Sequence, residues 1–290
     1  RNVFAYYRED MSNKAARRTQ IETALRDSIK DPDFTLAFQP IVDLEKREVV
    51  KAEALIRWNH PELGFIPPDE FIPIAEEVGL IVNIGDWVLR HACESMQRFI
   101  NDGVNLNCLA VNVSSVEFLK GDIVSRFRSV LKEYDVRPEQ IEIEITERYM
   151  LDQAQGAEAE LQKLRDLGHT LSVDDFGTGY SSKSYMKRLP LNVIKIDRSF
   201  ISNIPHDQND LAISQAIISL SHSLGYKVVA EGDETKEQLD YLFDKCCNYA
   251  QGYYLSKPVA ADDFATAVNN IRDRLEIKEH WTAKFRTPRV

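Results

Sequence analysis

The sequence predicts an α/β fold, a modified TIM (β/α)8 barrel with one antiparallel strand near its start. Stretches rich in β-forming residues recur eight times, amphipathic helical stretches separate most of them, and only a short charged turn separates the first two. Eight strands alternating with helices over about 240 residues favour a barrel. An open doubly wound sheet is the structural alternative, but no GxGxxG motif follows an early strand.

The predicted strands follow one another from residue 35 to residue 255. They lie at 35–44, 47–57, 106–113, 140–147, 170–176, 192–198, 227–232 and 249–255. Because the turn EKR between the first two is short, these two are expected to form an antiparallel hairpin. Helical patterns lie between later strands, at 82–101, 122–134, 154–168 and 211–224. The last of these precedes Gly225, a residue type that commonly follows a helix.

Residues 1–31 depart from this pattern and are predicted to be the end of an upstream domain. RNVFAYY predicts a short strand, and MSNKAARRTQIETALRDSI predicts a polar connecting helix. We expect the barrel to occupy residues 32–275 and a C-terminal tail to occupy residues 276–290. Because the first residue is Arg1, we also expect the sequence to be a piece of a longer chain.

Composition and charge exclude several classes of protein. With 43% hydrophobic and 28% charged residues, the sequence is typical of a globular protein. Its apolar runs are too short for a membrane span, and no signal peptide precedes the fold. We therefore expect a cytoplasmic domain, and the sequence leaves open whether the full-length protein is anchored to a membrane. The net charge of −10 argues against duplex nucleic acid as a partner.

The cysteines and histidines do not predict a site for a soft metal ion. The four cysteines show no CxxC pair, and the six histidines never approach the spacing of zinc ligands. Any metal ion would therefore be held by oxygen atoms, which points to Mg²⁺ or Mn²⁺.

Polar side chains interrupt the apolar pattern near the C-terminal ends of seven predicted strands. Seven of them are the acids expected around the mouth, namely Glu53, Glu144, Glu147, Asp174, Asp175, Glu231 and Glu234, and the other polar residues are Asn112, Lys195, Asp197 and Gln251. One such residue alone is more often a structural hydrogen-bonding group. Seven strands together indicate a site, because catalytic groups gather at this end of a barrel.

Seven carboxylates around one mouth, against a single lysine, would repel one another. Two unit charges 4 Å apart repel by about 4 kcal/mol at an effective dielectric constant of 20. Either some of these acids stay protonated, or divalent cations fill the site. Two ions sharing adjacent acids such as Asp174 and Asp175 would suit the attack of water on a phosphodiester.

The stretch KAEALIRWNHPELGFIPPDEFIPIAEEVGLI, with EAL itself at residues 53–55, resembles the signature of the EAL-domain cyclic di-GMP phosphodiesterases. The resemblance covers about residues 32–270 and recurs in FQPIVD, VNVS, EITE, VDDFGTGYSS, IKIDRSFI, AEGDET and QGYYLSKP. It implies a modified barrel that hydrolyses cyclic di-GMP to linear 5′-pGpG with two Mg²⁺ or Mn²⁺ ions. The N-terminal segment resembles the end of a GGDEF domain, whose own signature lies outside this chain.

The resemblance also implies roles for single residues, position by position. The implied ligands of one metal ion are Glu53, Asn112, Glu144 and Asp174, and those of the second are Asp174, Asp175 and Glu231. The implied catalytic residues are Glu53, Glu147, Lys195 and Glu231. Lys195 would contact the attacking water, and Glu231 would either remove its proton or orient a hydroxide that the metal ions provide. Glu147 would anchor the loop after DDFG.

Further positions match residues that line the substrate in the family. They are Gln39, Leu55, Arg57, Asp197, Glu234 and Gln251. Arg57 suits a phosphate or the guanine edge, and Asp197 can accept hydrogen bonds from guanine N1–H and N2–H. A salt bridge at the rim of the site is the alternative for these two residues.

Three residues depart from the family's pattern. Asp233 stands where Val is usual, Lys183 where Leu is usual, and Asn248 where Asp is usual. Since none of them matches a metal ligand, we predict an active enzyme. The alternatives are a catalytically weak or inactive cyclic di-GMP receptor and a protein-interaction module that binds no nucleotide. The resemblance also implies a homodimer and upstream GGDEF or sensor domains in the full-length chain.

Overall fold

Ten strands form one sheet in the part of the chain that the computed structural model describes, residues 2–29, 33–120, 122–147, 157–178 and 189–276. They are β1 (Phe34–Asp43), β2 (Glu48–His60), β3 (Gly64–Ile66), β4 (Cys108–Asn112), β5 (Ile141–Thr146), β6 (Thr170–Phe176), β7 (Val193–Ile196), β8 (Lys227–Glu231), β9 (Tyr249–Gln251) and β10 (Val259–Ala260). All eight predicted strands are present, and the modified (β/α)8 barrel is confirmed.

Helices surround this sheet and include all four that the helical patterns predict. The described helices are α1 (Asn2–Ser28), α2 (Pro68–Glu77), α3 (Ile81–Asn101), α4 (Ser115–Lys120), α5 (Ile123–Glu133), α6 (Ala157–Asp166), α7 (Gln208–Ser223), α8 (Lys236–Asp244) and α9 (Ala261–Glu276). Within the described ranges, every helix is too short or too polar to span a lipid bilayer.

Strand β1 closes the barrel because it pairs with a strand on each side. It runs antiparallel to β2 and to β9, whereas β2, β4, β5, β6, β7, β8 and β9 pair in parallel in that order. The tight turn after β1 forces this reversal. Asp43 stabilises the turn by accepting hydrogen bonds from the backbone amides of Glu45 and Lys46, at 3.1 and 3.0 Å. The predicted antiparallel strand is therefore β1.

The barrel interior has a lower polar layer beneath the mouth. Side chains two residues apart on a strand face the same side, so β2 directs both Lys51 and Glu53 inward and β5 directs both Glu142 and Glu144 inward. Lys51 and Glu142 form a buried ion pair. The apolar side chains at this level are Ile41, Val50, Val193, Val229 and Tyr249. Glu53 and Glu144 consequently lie one layer nearer the mouth.

The prediction of a short strand at residues 1–7 is wrong, because residues 2–28 form the single helix α1. A helix makes its backbone hydrogen bonds within itself, whereas a strand needs a neighbouring strand, and the described sheet includes none from this segment. The later part of α1 packs on the barrel through Ile21 and Leu25, which are fully buried. Arg17 donates to Glu70 of α2 at 2.9 Å.

Candidate active site

Lys195, on β7, lies buried at the centre of the barrel mouth. Its Nζ atom is 2.7 Å from Glu144 Oε2 and 2.7 Å from Glu231 Oε1. It is also 3.3 Å from Glu53 Oε2 and 3.4 Å from Asp174 Oδ1. Burial opposes the charge of Lys195, but the four carboxylates outweigh burial and raise its pKa well above the ordinary value. Four acids on four different strands therefore share one cation.

Hydrogen bonds from two amides hold Glu53 in place. Asn112 Nδ2 donates to Glu53 Oε1 at 2.6 Å, and Gln251 Nε2 donates to Glu53 Oε2 at 2.6 Å. Gln251 also donates to Gln39 Oε1 at 3.2 Å. Burial opposes the ionisation of Glu53, but Lys195 and these amides together lower its pKa. Glu53 is thus held as a carboxylate of fixed orientation.

Three other acids of the mouth have raised pKa values, because Lys195 does not offset the effect of their burial. Burial raises the pKa of Glu144 well above its usual value and that of Glu231 to about 8, despite the contact with Lys195. Burial, together with the charge of Asp174, raises the pKa of Asp175 to about 6. In the described part of the chain, Glu144 Oε1 is buried and has no hydrogen-bond partner. Lys195 alone is therefore not enough to keep all of these acids ionised, and ionising them together requires further positive charge at the mouth.

This donor set fits a divalent metal ion. Glu53, Glu144 and Asp174 each place one carboxylate oxygen within 4.8 Å of the others. The side chains that meet there offer oxygen ligands, which suit hard cations such as Mg²⁺ and Mn²⁺. The unpartnered Oε1 atom of Glu144 is an available ligand atom, and a bound cation would relieve the repulsion among the acids. The predicted grouping of these three acids is thus present.

A bulge in β6 explains the pair of adjacent acids. Val173 pairs with Ile194 and Phe176 pairs with Ile196, so Asp174 and Asp175 together oppose the single residue between those partners. Such bulges redirect side chains beside active sites. Asp175 has a φ of 55°, and its backbone amide donates to Asp174 Oδ1 at 2.9 Å. The bulge brings both carboxylates to the mouth.

Glu147 contacts the turn that follows these acids. Its Oε2 atom accepts a hydrogen bond from the Gly177 amide at 2.8 Å. Gly177 has a φ of 105°, and a Cβ atom there would lie 2.8 Å from a ring carbon of Phe200. Glu147 thus contacts the first residue of the turn, and its anchoring role stays a prediction. The rest of the loop, including Lys183, lies outside the described residues.

A cavity of about 480 Å³ opens above the acids. The predicted site residues that line it are Gln39, Glu53, Leu55, Asp174, Glu231, Glu234 and Gln251. Arg57 and Asp197 are not among the lining residues. Arg57 donates to the Ile56 carbonyl oxygen at 2.9 Å, and Asp197 accepts from the Ser199 amide at 3.0 Å.

The family model described as the EAL domain matches residues 22–258, which is most of the chain. The chain belongs to the EAL domain family. Its match begins inside α1, ten residues before the predicted start of the barrel, and it includes every acid of the mouth.

Two proteins of Pseudomonas aeruginosa are similar to this EAL domain over nearly its whole length. The bifunctional diguanylate cyclase/cyclic di-GMP phosphodiesterase MucR is 38% identical over 268 residues, which cover 92% of this chain and 39% of MucR. The cyclic di-GMP phosphodiesterase NbdA is 39% identical over 270 residues, which cover 92% of this chain and 34% of NbdA. The chain thus spans between a third and two fifths of the length of these relatives.

Two solved structures have the same fold. The PaMucR phosphodiesterase in complex with c-di-GMP is 39% identical, with a TM-score of 0.80, and the match covers 84% of this chain and 99% of that chain. The EAL domain of Mycobacterium smegmatis DcpA is 32% identical, with a TM-score of 0.68, and the match covers 81% of this chain and 96% of that chain.

Two of the departures in this EAL domain have different structural consequences. Asn248 Oδ1 accepts hydrogen bonds from the Val228 amide at 2.8 Å and from His222 Nε2 at 3.0 Å, so it joins β8, β9 and α7. Asp233 is fully buried, and within the described residues neither of its carboxylate oxygens has a hydrogen-bond partner. Burial raises the pKa of Asp233 to about 7.

Three further side chains of the EAL domain line the cavity and were not predicted. They are Asp69, Arg198 and Tyr253. Asp69 lies in the first turn of α2, where the pair Pro67–Pro68 is a helix-start signal that could have located it. Tyr253 follows Gln251 in QGYY, so its closeness to a predicted site residue was the available signal. The sequence carries no comparable signal for Arg198.

Proposed function

We propose that this EAL domain hydrolyses cyclic di-GMP to linear 5′-pGpG in a metal-dependent reaction. The observation that carries the proposal is the group of four carboxylates around Lys195 at the C-terminal ends of the strands, where barrel enzymes have their active sites. The choice of substrate is supported by the match to the PaMucR phosphodiesterase complex with c-di-GMP.

Two ions of Mg²⁺ or Mn²⁺ are part of the proposal. Their proposed ligands are Glu53, Asn112, Glu144 and Asp174 for one ion, and Asp174, Asp175 and Glu231 for the other. Asn112 Nδ2 donates to Glu53, which leaves the amide oxygen of Asn112 as its ligand atom. When bound, such ions supply positive charge to the phosphodiester oxygens and make water more acidic.

The protein's own groups position the reactants and move the proton. Lys195 is held by carboxylates on four strands, so its ammonium group has a fixed position from which it can donate to the attacking water. Glu231 is the proposed base, and its Oε1 atom lies 2.7 Å from Lys195 Nζ. One group therefore orients the water while the other accepts its proton.

The cavity walls would hold the dinucleotide. Gln39, Leu55, Glu234 and Gln251 line the cavity and are proposed to contact the substrate. Arg57 and Asp197 remain predictions of the family resemblance. Since the mouth is acidic, binding of an anionic phosphodiester depends on the metal cations.

Turnover distinguishes an enzyme from a receptor. We expect pGpG to form when the protein is mixed with cyclic di-GMP and Mg²⁺ or Mn²⁺, and replacement of Glu53 or Asp174 by Ala to abolish this reaction. Glu45→Gln removes an exposed carboxylate from the turn at the opposite end of the barrel and is the matched control. If the protein binds cyclic di-GMP but leaves it intact in the presence of metal, the receptor alternative is correct.

The features of the full-length protein outside this domain are also proposals. The chain covers only 39% of MucR and 34% of NbdA, which supports further domains in the full-length protein, a GGDEF domain among them. The helical conformation of residues 2–7 gives no support to the predicted last GGDEF strand. The homodimer and a membrane anchor in the full-length protein stay predictions.

A further inference from the structure

A buried carboxylate contacts the loop that follows Asn112. Glu117, in the first turn of α4, is only 2% exposed. Its Oε2 atom accepts a hydrogen bond from the Ser114 amide at 2.9 Å. The preceding amide, that of Val113, still donates to the Glu144 carbonyl oxygen of β5 at 2.9 Å. Glu117 therefore holds the chain at the point where it leaves the sheet.

Two neighbouring helices form a slot for this carboxylate. Arg126 of α5 donates through Nη2 to Glu117 Oε1 at 2.6 Å, and through Nη1 to the Val82 carbonyl oxygen of α3 at 3.4 Å. A Cβ atom on Gly85 of α3 would lie 1.9 Å from Glu117 Oε1, so the glycine leaves room for the carboxylate. The position of Glu117 is thus fixed by α3 and α5 as well as by its own helix.

The loop is held by more contacts than the start of a helix requires. Ser114 Oγ accepts a hydrogen bond from the Val116 amide at 3.2 Å, which is ordinary helix capping. Such a cap works at an exposed helix end and needs neither a buried carboxylate nor an arginine partner. Ser114 Oγ also donates to Glu76 of α2. Contacts from α2 and from the buried Glu117 therefore fix the loop itself, in addition to the end of α4.

The position of this loop affects a proposed metal ligand. Asn112 lies two residues before Ser114, and its Nδ2 atom donates to Glu53 Oε1 at 2.6 Å. The amide oxygen of Asn112 is the proposed ligand atom, so its direction depends on the backbone at residue 112 as well as on Glu53. Groups that orient a metal ligand in this way typically change metal affinity by about 10-fold to 100-fold when they are removed.

We propose that Glu117 is a positioning residue, which acts through Ser114 to orient Asn112 for metal binding. The inference rests on the proposed function, because it takes Asn112 as a metal ligand. Glu117 does not line the cavity above the acids, so its effect passes through the loop and not through contact with the substrate.

Two double variants separate the hydrogen bond to Ser114 from the ion pair with Arg126. Glu117→Gln with Arg126→Met keeps an acceptor oxygen for the Ser114 amide, whereas Glu117→Met with Arg126→Met has none, and both lack the ion pair. Titration calorimetry with Mn²⁺ and no nucleotide should give a Kd within about threefold of that of the unaltered protein for the first, and a Kd raised by about 10-fold or more for the second. In the metal-free protein, amide hydrogen exchange of residues 112–118, measured by mass spectrometry, should be faster in the second variant only.

Gly85→Ala displaces the same carboxylate by another route and keeps the proposal testable if the methionine variant does not fold. The new methyl group would occupy the position of Glu117 Oε1, while alanine is compatible with the helical backbone of α3. We expect the Kd for Mn²⁺ to rise by about 10-fold. Arg90→Met is the control, because it removes the ion pairs of α3 with Asp86 and Glu133 and should leave this Kd unchanged.

The outcomes separate the inference from the proposed function. Equal Kd values for Mn²⁺ in the two folded double variants, or an unchanged Kd in Gly85→Ala, would overturn the inference and leave Glu117 as a helix cap. Absence of Mn²⁺ binding by the unaltered protein would contradict the proposed metal centre. The exchange measurement needs no metal and would then still show whether Glu117 holds the loop, since equal exchange in the two double variants would exclude it.

Discussion

Replacement of Asp233 by Asn should make the protein more stable above neutral pH. Burial raises the pKa of Asp233 from 3.8 to about 7 in the folded protein, which corresponds to about 4 kcal/mol at 1.36 kcal/mol for each pKa unit. Between these two values the unfolded chain has already lost a proton that the folded protein retains. Raising the pH therefore lowers the free energy of unfolding, and the penalty is complete above the folded pKa.

The asparagine variant isolates this effect because its side chain has nearly the same shape and cannot ionise. Urea unfolding with a chelator present, from about pH 4 to about pH 8, should show the variant gaining stability relative to the unaltered protein by up to about 4 kcal/mol. Asp262→Asn removes a carboxylate that is 82% exposed and controls for the loss of one charge. A stability difference that is independent of pH would show instead that burial does not raise the pKa of Asp233, because a partner in the folded protein stabilises its carboxylate.

The remaining predictions concern the lower polar layer and the turn after the adjacent acids. Lys51→Met should lower the free energy of unfolding by about 3–5 kcal/mol, because it leaves Glu142 buried without its cation. The double variant Lys51→Met with Glu142→Leu should recover most of this loss in urea unfolding, and equal stability of the single and double variants would contradict the ion-pair argument. Glu147→Ala should lower kcat, because the Gly177 amide loses its acceptor, whereas Glu147→Gln keeps an acceptor oxygen and should retain more activity. Equal kcat values for the two Glu147 variants would show that this hydrogen bond does not position the turn.

The strands were predictable because each is an apolar run that ends in polar residues. The prediction of 170–176 agrees with β6, Thr170–Phe176, and that of 35–44 differs by one residue from β1, Phe34–Asp43. β3 and β10 are three and two residues long. Such short strands exist only because a neighbouring strand offers hydrogen bonds, and local pattern does not reveal them. The error at residues 1–7 has the same origin, since apolar and aromatic residues there favour a strand that has no described partner.

The acids of the site were predictable from their position at strand ends, but Tyr253, which also lines the cavity, was not. Glu53, Glu144, Asp174 and Glu231 meet around Lys195 because parallel strands end together. Tyr253 lines the cavity only because the turn after β9 packs against the loop after β8, which is a tertiary contact. The missing partners of Asp233 were likewise not visible in the sequence, which indicated only an added charge.

The metal dependence of the reaction is best measured as the rate of pGpG formation at rising Mn²⁺ concentration, for the unaltered protein and for Glu144→Gln. We predict a saturable dependence on Mn²⁺ in the unaltered protein. In Glu144→Gln we predict a loss of more than about 100-fold, the upper range for residues that only support a metal ligand. Undiminished turnover by the unaltered protein in the presence of a chelator, or by Glu144→Gln, would contradict a metal centre built on these acids.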